Sequence, residues 1–306
     1  MSKQLSQQFG KVAVLMGGIS AEREVSLKSG AAVLSALLNQ GIDAHGIDAQ
    51  PNNIGLLQAQ GFDRVFNSLH GSWGEDGVVQ GALESIGMPY TGSGVLGCAL
   101  SMDKVRSKQI WQTLGLPTAN YRTINQPSEL DGLIEQLGLP LFLKPACEGS
   151  SVGIGKVSKA GDLLSVYQTA SANASVVLAE QFIPGPELTV AILGGEVLPV
   201  IRLQTPNEFY DYAAKYQSDT TEYFCPAGLS EELENAVRSL AMAAFKALAC
   251  SGWGRVDVML DSDQQPILLE VNPIPGMTDH SLVPRAAAAA GLSFEQLVKR
   301  ILEATL

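Results

Sequence analysis

A strand, a tight glycine break, a helix and a second strand follow one another near the start of this chain, and no other feature narrows its fold as much. Residues 11–16 (KVAVLM) form a short apolar run that Gly17-Gly18 stops. Ser20 precedes Ala21-Glu22-Arg23-Glu24, which reads as a helix N-terminus with Ser20 as the cap and acids in the first turn. Residues 25–38 continue the helix and Asn39-Gln40-Gly41 break it; residues 42–47 and 64–69 (RVFNSL) supply two further strands. This alternation with short breaks implies a parallel sheet with right-handed crossovers. The expectation is an α/β domain ending near residues 92–97.

The pattern then changes. Residues 100–114 read as a helix ended by Gly115-Leu116-Pro117, and 128–137 as another. A strand at 140–145 (PLFLKP), a Gly/Ser turn at 148–156 running into 155–157, and a strand at 176–182 (VVLAEQF) suggest α+β structure. Residues 187–193 and 197–202 flank Gly194-Gly195, a hairpin signal. Residues 205–228 lack clear periodicity yet carry Phe209, Tyr210, Tyr212, Tyr216, Tyr223 and Phe224. Irregular stretches longer than about 12–15 residues are usually functional or disordered, and the aromatics argue against disorder. A helix at 231–250, strands at 255–260 and 266–271 joined by a turn at 261–265, and an amphipathic helix at 292–302 complete the pattern.

Composition excludes several function classes. With 20 Lys+Arg against 31 Asp+Glu the net charge is −11, a poor match for bulk nucleic acid or an anionic membrane. No apolar run approaches the ~20 residues of a membrane helix, and the first ten residues do not read as a signal peptide. The four cysteines form no CxxC and no zinc spacing. They read as reduced thiols of a soluble, cytoplasmic protein.

Chemistry concentrates in a few places. In Arg255-Val256-Asp257 and Glu270-Val271-Asn272, period-two alternation puts Arg255 with Asp257 and Glu270 with Asn272 on shared faces. If the two strands pair, three oxygen ligands converge beside one Arg, a set suited to Mg²⁺; an exposed polar face reads the same way. Lys144-Pro145 followed by Glu148-Gly149-Ser150-Ser151-Val152-Gly153 suits an anion approached by backbone N–H groups, although it is no Walker A motif. Glu22 lies near the C-terminal end of the first strand, where open α/β sheets bind ligands, and would attract an ammonium group; a first-turn acid favoured by the helix dipole is the simpler alternative. His70 ends the third strand and would reach the same edge. Lys215-Tyr216 in the aromatic stretch could belong to a lid or to a packed surface loop.

Taken in order, these pieces resemble the D-alanine–D-alanine ligase family of the ATP-grasp superfamily, over residues 12–302. The resembling segments are GGISAEREVSL (17–27), LHGSWGEDG (69–77), PYTGSG (89–94), SMDKVRSK (101–108), EGSSVG (148–153), GPELTVAIL (185–193), YDYAAKY (210–216), GWGRVDVML (252–260) and EVNPIPGMTDHSLVP (270–284). The resemblance implies an α/β fold with α+β portions in three domains. Residues 1–97 would form an N-terminal parallel-sheet domain that binds substrate, 98–184 a central ATP-grasp subdomain, and 185–306 a C-terminal one with the metal site and lid loop. It further implies two Mg²⁺ ions, with Mn²⁺ as an alternative, on Asp257, Glu270 and Asn272. ATP, the co-substrate, would meet Lys104, Lys144, Ser151, Glu180, Phe182, Ile183, Glu187, Lys215 and Asn272. Glu22 and His70 match groups around the first D-alanine, and Ser150 and Tyr216 a hydrogen-bonded set with Glu22. Arg255, Gly276, Ser281 and Leu282 match groups around the second D-alanine and the reacting carbonyl; Glu22, Ser150, Tyr216, Arg255, Gly276 and Ser281 are the catalytic set.

The implied reaction forms D-alanyl-D-alanine through a D-alanyl phosphate, for peptidoglycan precursor synthesis, in an enzyme that is commonly a homodimer. Tyr216 favours a dipeptide product, because relatives that make a D-alanyl–D-lactate ester carry Phe in the lid. Three positions depart from the family pattern: Pro273 where Thr usually follows the Asn, Ala213 in place of a polar residue, and Cys147 in place of a longer polar one. The rival readings are an ATP-grasp ligase joining other carboxylates and amines, and a nucleotide-binding module without turnover. A nicotinamide oxidoreductase is disfavoured because GxGxxG is absent.

Overall fold

The computed structural model describes residues 8–149, 153–172, 174–205, 221–278 and 280–306. Three sheets organise it. The first is parallel, in the order β2-β1-β3, from β1 (Val12–Met16), β2 (Ala44–Asp48) and β3 (Arg64–Asn67). Helix α1 (Arg23–Asn39) makes the crossover from β1 to β2. As the central strand, β1 is buried almost throughout, which is why it reads as an unbroken apolar run.

Ser20 is not the cap of α1. Glu22 holds that position without a side-chain cap bond, while Ser20 Oγ accepts from Glu22 N at 3.2 Å and donates to His70 O at 2.5 Å. The hydroxyl is thus spent on joining the loops after β1 and β3. After α2 (Val78–Ser85), the helix expected at 100–114 is two helices, α3 (Val95–Met102) and α4 (Lys104–Thr113). Asp103 separates them: its backbone is extended (φ −87°, ψ 97°) and its side chain accepts from Arg106 N, capping α4.

The second sheet is fully antiparallel in the order β4-β7-β5-β6. It comprises β4 (Tyr121–Ile124), β5 (Leu141–Pro145), β6 (Gly155–Val157) and β7 (Val177–Gln181). Between β4 and β5 the expected helix at 128–137 is a 3₁₀ turn (Pro127–Leu130) and a short α5 (Leu133–Leu137), divided by Gly132 at φ 72°. Helix α6 (Leu163–Ser171) follows β6.

The third sheet contains β8 (Glu187–Leu193), β9 (Glu196–Val197), β10 (Ile201–Gln204), β11 (Glu222–Phe224), β12 (Trp253–Leu260) and β13 (Pro266–Asn272). Its order is β11-β10-β8-β12-β13, with β9 turned back on β8 through Gly194-Gly195. Helix α7 (Glu231–Ala247) covers one face and buries Val237, Ala241, Ala244 and Phe245 with Val190, Val256 and Val258. Asp257, between two of those valines, therefore turns to the opposite face.

Helix α8 (Leu282–Ala289) packs on β8, and α9 (Phe294–Glu303) packs on α8 and on α1 beside the first sheet. Ser293 and Gln296 form a capping box at the start of α9. Leu297, Val298 and Ile301 of α9 share one core with Val33 and Leu37 of α1 and with Val12 and Val14 of β1. The four cysteines are free.

Candidate functional site

Strands β12 and β13 set the register on which the site depends. Arg255 lies opposite Asn272 and Asp257 opposite Glu270, before a register shift after Asp257. The four side chains thus share a face, as the alternation required. Asp257 is held from two sides: Arg255 Nε and Nη2 donate to its two oxygens at 2.8 and 2.7 Å, and Thr189 Oγ1 donates to Oδ1 at 2.6 Å. Thr189 comes from β8, directly opposite Asp257. Asn272 Oδ1 accepts from Ile274 N at 3.1 Å, which ties the segment before Pro275 to the strand end. Two carboxylates and an amide oxygen form a hard-oxygen donor set that fits a small divalent cation. Among the described residues, no group of three His, Cys, Asp or Glu side chains is placed to hold a metal.

A cavity of about 440 Å³ adjoins this face. Phe142, Ile154, Phe182, Ile183, Met259 and Leu269 give it apolar walls; Lys104, Lys144, Glu180, Glu187 and Glu270 give it charge. Mixed walls with a few convergent polar groups are the usual form of a small-molecule site. Lys104, the first residue of α4, donates from Nζ to Glu148 O at 2.6 Å and lies 3.7 Å from Glu270 Oε2. It therefore links the Gly/Ser turn to the carboxylate of β13. Lys144 Nζ contacts Glu180 Oε2 at 2.5 Å, and Lys108, sealed beneath, ion-pairs with Oε1. Burial alone would raise the Glu180 carboxyl, but the two lysines outweigh it and bring it down to about 2.

A second cluster forms where the first sheet meets the loop after β13. Glu22 Oε1 lies 2.5 Å from where a Cβ on Gly149 would stand and 3.2 Å from the same point on Gly71. Only glycine lets the turn after β5 come so close to this carboxylate. His70 is buried, with Nδ1 3.0 Å from Glu75 Oε1 and Nε2 3.2 Å from Ser29 Oγ. Burial raises the Glu75 carboxyl, opposed by its hydrogen bond to His70. Ser29 Oγ also accepts from Met277 N at 3.1 Å. Beyond Met277, Ser281 Oγ accepts from Thr278 N at 2.9 Å and stands 2.9 Å from where a Cβ on Gly276 would lie. Leu282 opens α8 and is buried.

The structure thus brings the expected residues into two groups. Lys104, Lys144, Glu180, Phe182, Ile183, Glu187 and Glu270 line the cavity, beside Arg255, Asp257 and Asn272. Glu22, His70, Gly276, Ser281 and Leu282 gather around the Ser29 junction. Ser150, Ser151, Lys215 and Tyr216 lie outside the described residues, as does Ala213. Sequence reasoning gave no role to Ser29, Glu75, Lys108 or Thr189. Thr189 carried a signal, as a polar residue inside the apolar run ELTVAIL; so did Lys108, four residues after Lys104 on one helix face. Ser29 carried none.

The chain matches the family models described as D-ala D-ala ligase C-terminus, over residues 110–303, and D-ala D-ala ligase N-terminus, over residues 50–93. It is 53% identical to the D-alanine–D-alanine ligase of Laribacter hongkongensis, with 99% of each chain covered. The solved D-alanine–D-alanine ligase of Bacillus anthracis complexed with ATP is 34% identical, with a TM-score of 0.82 and 96% of this chain and 97% of that one covered. The VanG D-Ala:D-Ser ligase of Enterococcus faecalis is 30% identical, with a TM-score of 0.85 and coverage of 97% and 99%.

Proposed function

The chain belongs to the D-alanine–D-alanine ligase family, and on that premise we propose that it uses ATP to join two D-alanines into D-alanyl-D-alanine for peptidoglycan precursor synthesis. One observation carries the reading at the level of the site. The Asp257–Glu270 pair stands at a cavity whose walls also bear Lys104, Lys144 and Glu180. A phosphate-bearing ligand needs such a combination of cations and metal-ligating oxygens.

A carboxylate is a poor electrophile. Transfer of the γ-phosphoryl group of ATP to the carboxylate of the first D-alanine gives an acyl phosphate and ADP. The neutral amine of the second D-alanine then attacks the acyl carbon, the C–O bond to phosphate breaks, and the amine loses a proton as the amide forms. In this reading Glu22 accepts the ammonium of the first D-alanine, with His70 beside its carboxylate. Ser150 and Tyr216 join Glu22 in this reading. In this reading Lys104, Lys144, Lys215 and Ser151 grip the phosphates, and Glu180, Phe182, Ile183 and Glu187 receive the adenosine. Arg255, the Gly276 backbone, Ser281 and Leu282 surround the reacting carbonyl, where fixed cationic and N–H groups stabilise developing negative charge. Asp257, Glu270 and Asn272 would hold Mg²⁺, two ions in this reading, with Mn²⁺ as an alternative. When bound, those ions supply positive charge against the phosphates.

The enzyme acts in the cytoplasm in this reading; among the described residues no helix is long and apolar enough to cross a membrane. A homodimer is supported by the exposed apolar side chains of Val78, Val95 and Leu96 on the adjacent helices α2 and α3. The test is phosphate release from Mg-ATP with D-alanine, D-serine, L-alanine or no amino acid. Release with D-alanine and a dipeptide seen by mass is expected. Release with another acid, or none, would overturn the assignment.

A further inference from the structure

Lys108 has no part in the chemistry described so far, yet it is among the most enclosed charges in the molecule. Its side chain is 1% exposed. Its ammonium ion-pairs with Glu180 Oε1 and donates to Thr118 Oγ1 at 2.6 Å, beside the Tyr121 ring at 5.5 Å. The other oxygen of Glu180 meets Lys144 at 2.5 Å. One buried carboxylate therefore lies between two ammonium groups.

The two lysines differ in access. Lys144 lines the cavity and keeps 15% side-chain exposure; Lys108 does not reach the cavity. An anion entering the cavity can recruit Lys144 and cannot recruit Lys108. Recruitment draws charge away from Glu180, and a buried carboxylate left without a partner is strongly disfavoured. With Lys144 alone, Glu180 would hold the lysine back or be dragged from its place. The second, sealed cation removes that conflict.

We propose that Lys108 is a positioning residue for the nucleotide: as the sealed partner of Glu180, it holds that carboxylate in place when phosphates draw Lys144 into the cavity. The proposal rests on the reading of the cavity as an ATP site. It separates Lys108 from a merely structural lysine, because it ties its effect to the phosphates rather than to the base.

The test measures ATP affinity by calorimetry and adenosine affinity by competition, on the full chain, for wild type and Lys108→Met. ATP affinity should fall about tenfold or more while adenosine affinity changes by less than about threefold. In turnover, KM for ATP should rise with kcat within about threefold. Equal losses for ATP and adenosine, or an unchanged ATP affinity with a lowered Tm, would overturn the proposal. Should Lys108→Met not fold, the double variant Lys108→Met with Glu180→Gln leaves neither charge alone. It should match Glu180→Gln for ATP within about twofold, and a further tenfold or larger loss would count against the proposal. Absence of ATP binding by the wild type would remove the functional reading and this proposal together; wild-type binding with an unaffected Lys108→Met removes only the proposal.

Discussion

Glu270 is the residue on which the metal-site reading can be lost. It lies across from Asp257, its side chain is about a third exposed, and Lys104 approaches it at 3.7 Å. Replacing one carboxylate oxygen by an amide nitrogen costs little packing at such a position. Glu270→Gln should lower turnover by about 10²–10³-fold with an unchanged Tm; phosphate release at the wild-type rate would remove Glu270 from the site. Gly149 offers a test at the other cluster. A Cβ there would stand 2.5 Å from Glu22 Oε1, so Gly149→Ala must displace that carboxylate. KM for D-alanine should rise about tenfold to a hundredfold, more than KM for ATP. An unaltered KM for D-alanine would show that Glu22 does not receive the substrate. Neither effect can be read from a substitution scale, because each depends on one contact across the fold.

At the scale of elements, α4 carries Lys104 and Lys108, and Asp103 fixes where it starts. Asp103→Ala removes the bond to Arg106 N, a loss of about 1 kcal/mol. Tm should fall by about 2–4 °C and KM for ATP should rise, since Lys104 is the next residue. Thermal unfolding and ATP titration check both, and a lowered Tm with unchanged KM would separate the cap from the site. The same helix shows why some of the architecture was legible and some was not. The parallel first sheet followed from local alternation, and the Asp257–Glu270 pairing from period two on strands joined by a short turn. The break at Asp103 was hidden because the helical pattern runs through it and only the cap geometry divides it. Thr189 faces Asp257 from a strand far away in sequence, so its role awaited the register of β8 against β12. The Ser29–Met277 bond spans 248 positions and leaves no local trace.

The whole molecule is closed by α9, which packs on α1 and so joins the core of the first sheet. Leu297, Val298 and Ile301 belong to the same core as Val12, Val14, Val33 and Leu37, so the two stretches should lose structure together. Leu297→Ala should cost about 2–5 kcal/mol. Urea unfolding would report the loss, and hydrogen exchange should show β1 amides opening with those of α9. Persistent protection of β1 when α9 exchanges freely would show two independent units. This arrangement also has a consequence for how the protein is made. Translation delivers α9 about 280 positions after β1, which at roughly 5–20 residues per second is on the order of 15–55 s. Throughout that interval the apolar side of α1 that α9 will cover has no native partner, so the ribosome-bound chain, rather than the finished enzyme, is the form most in need of a chaperone.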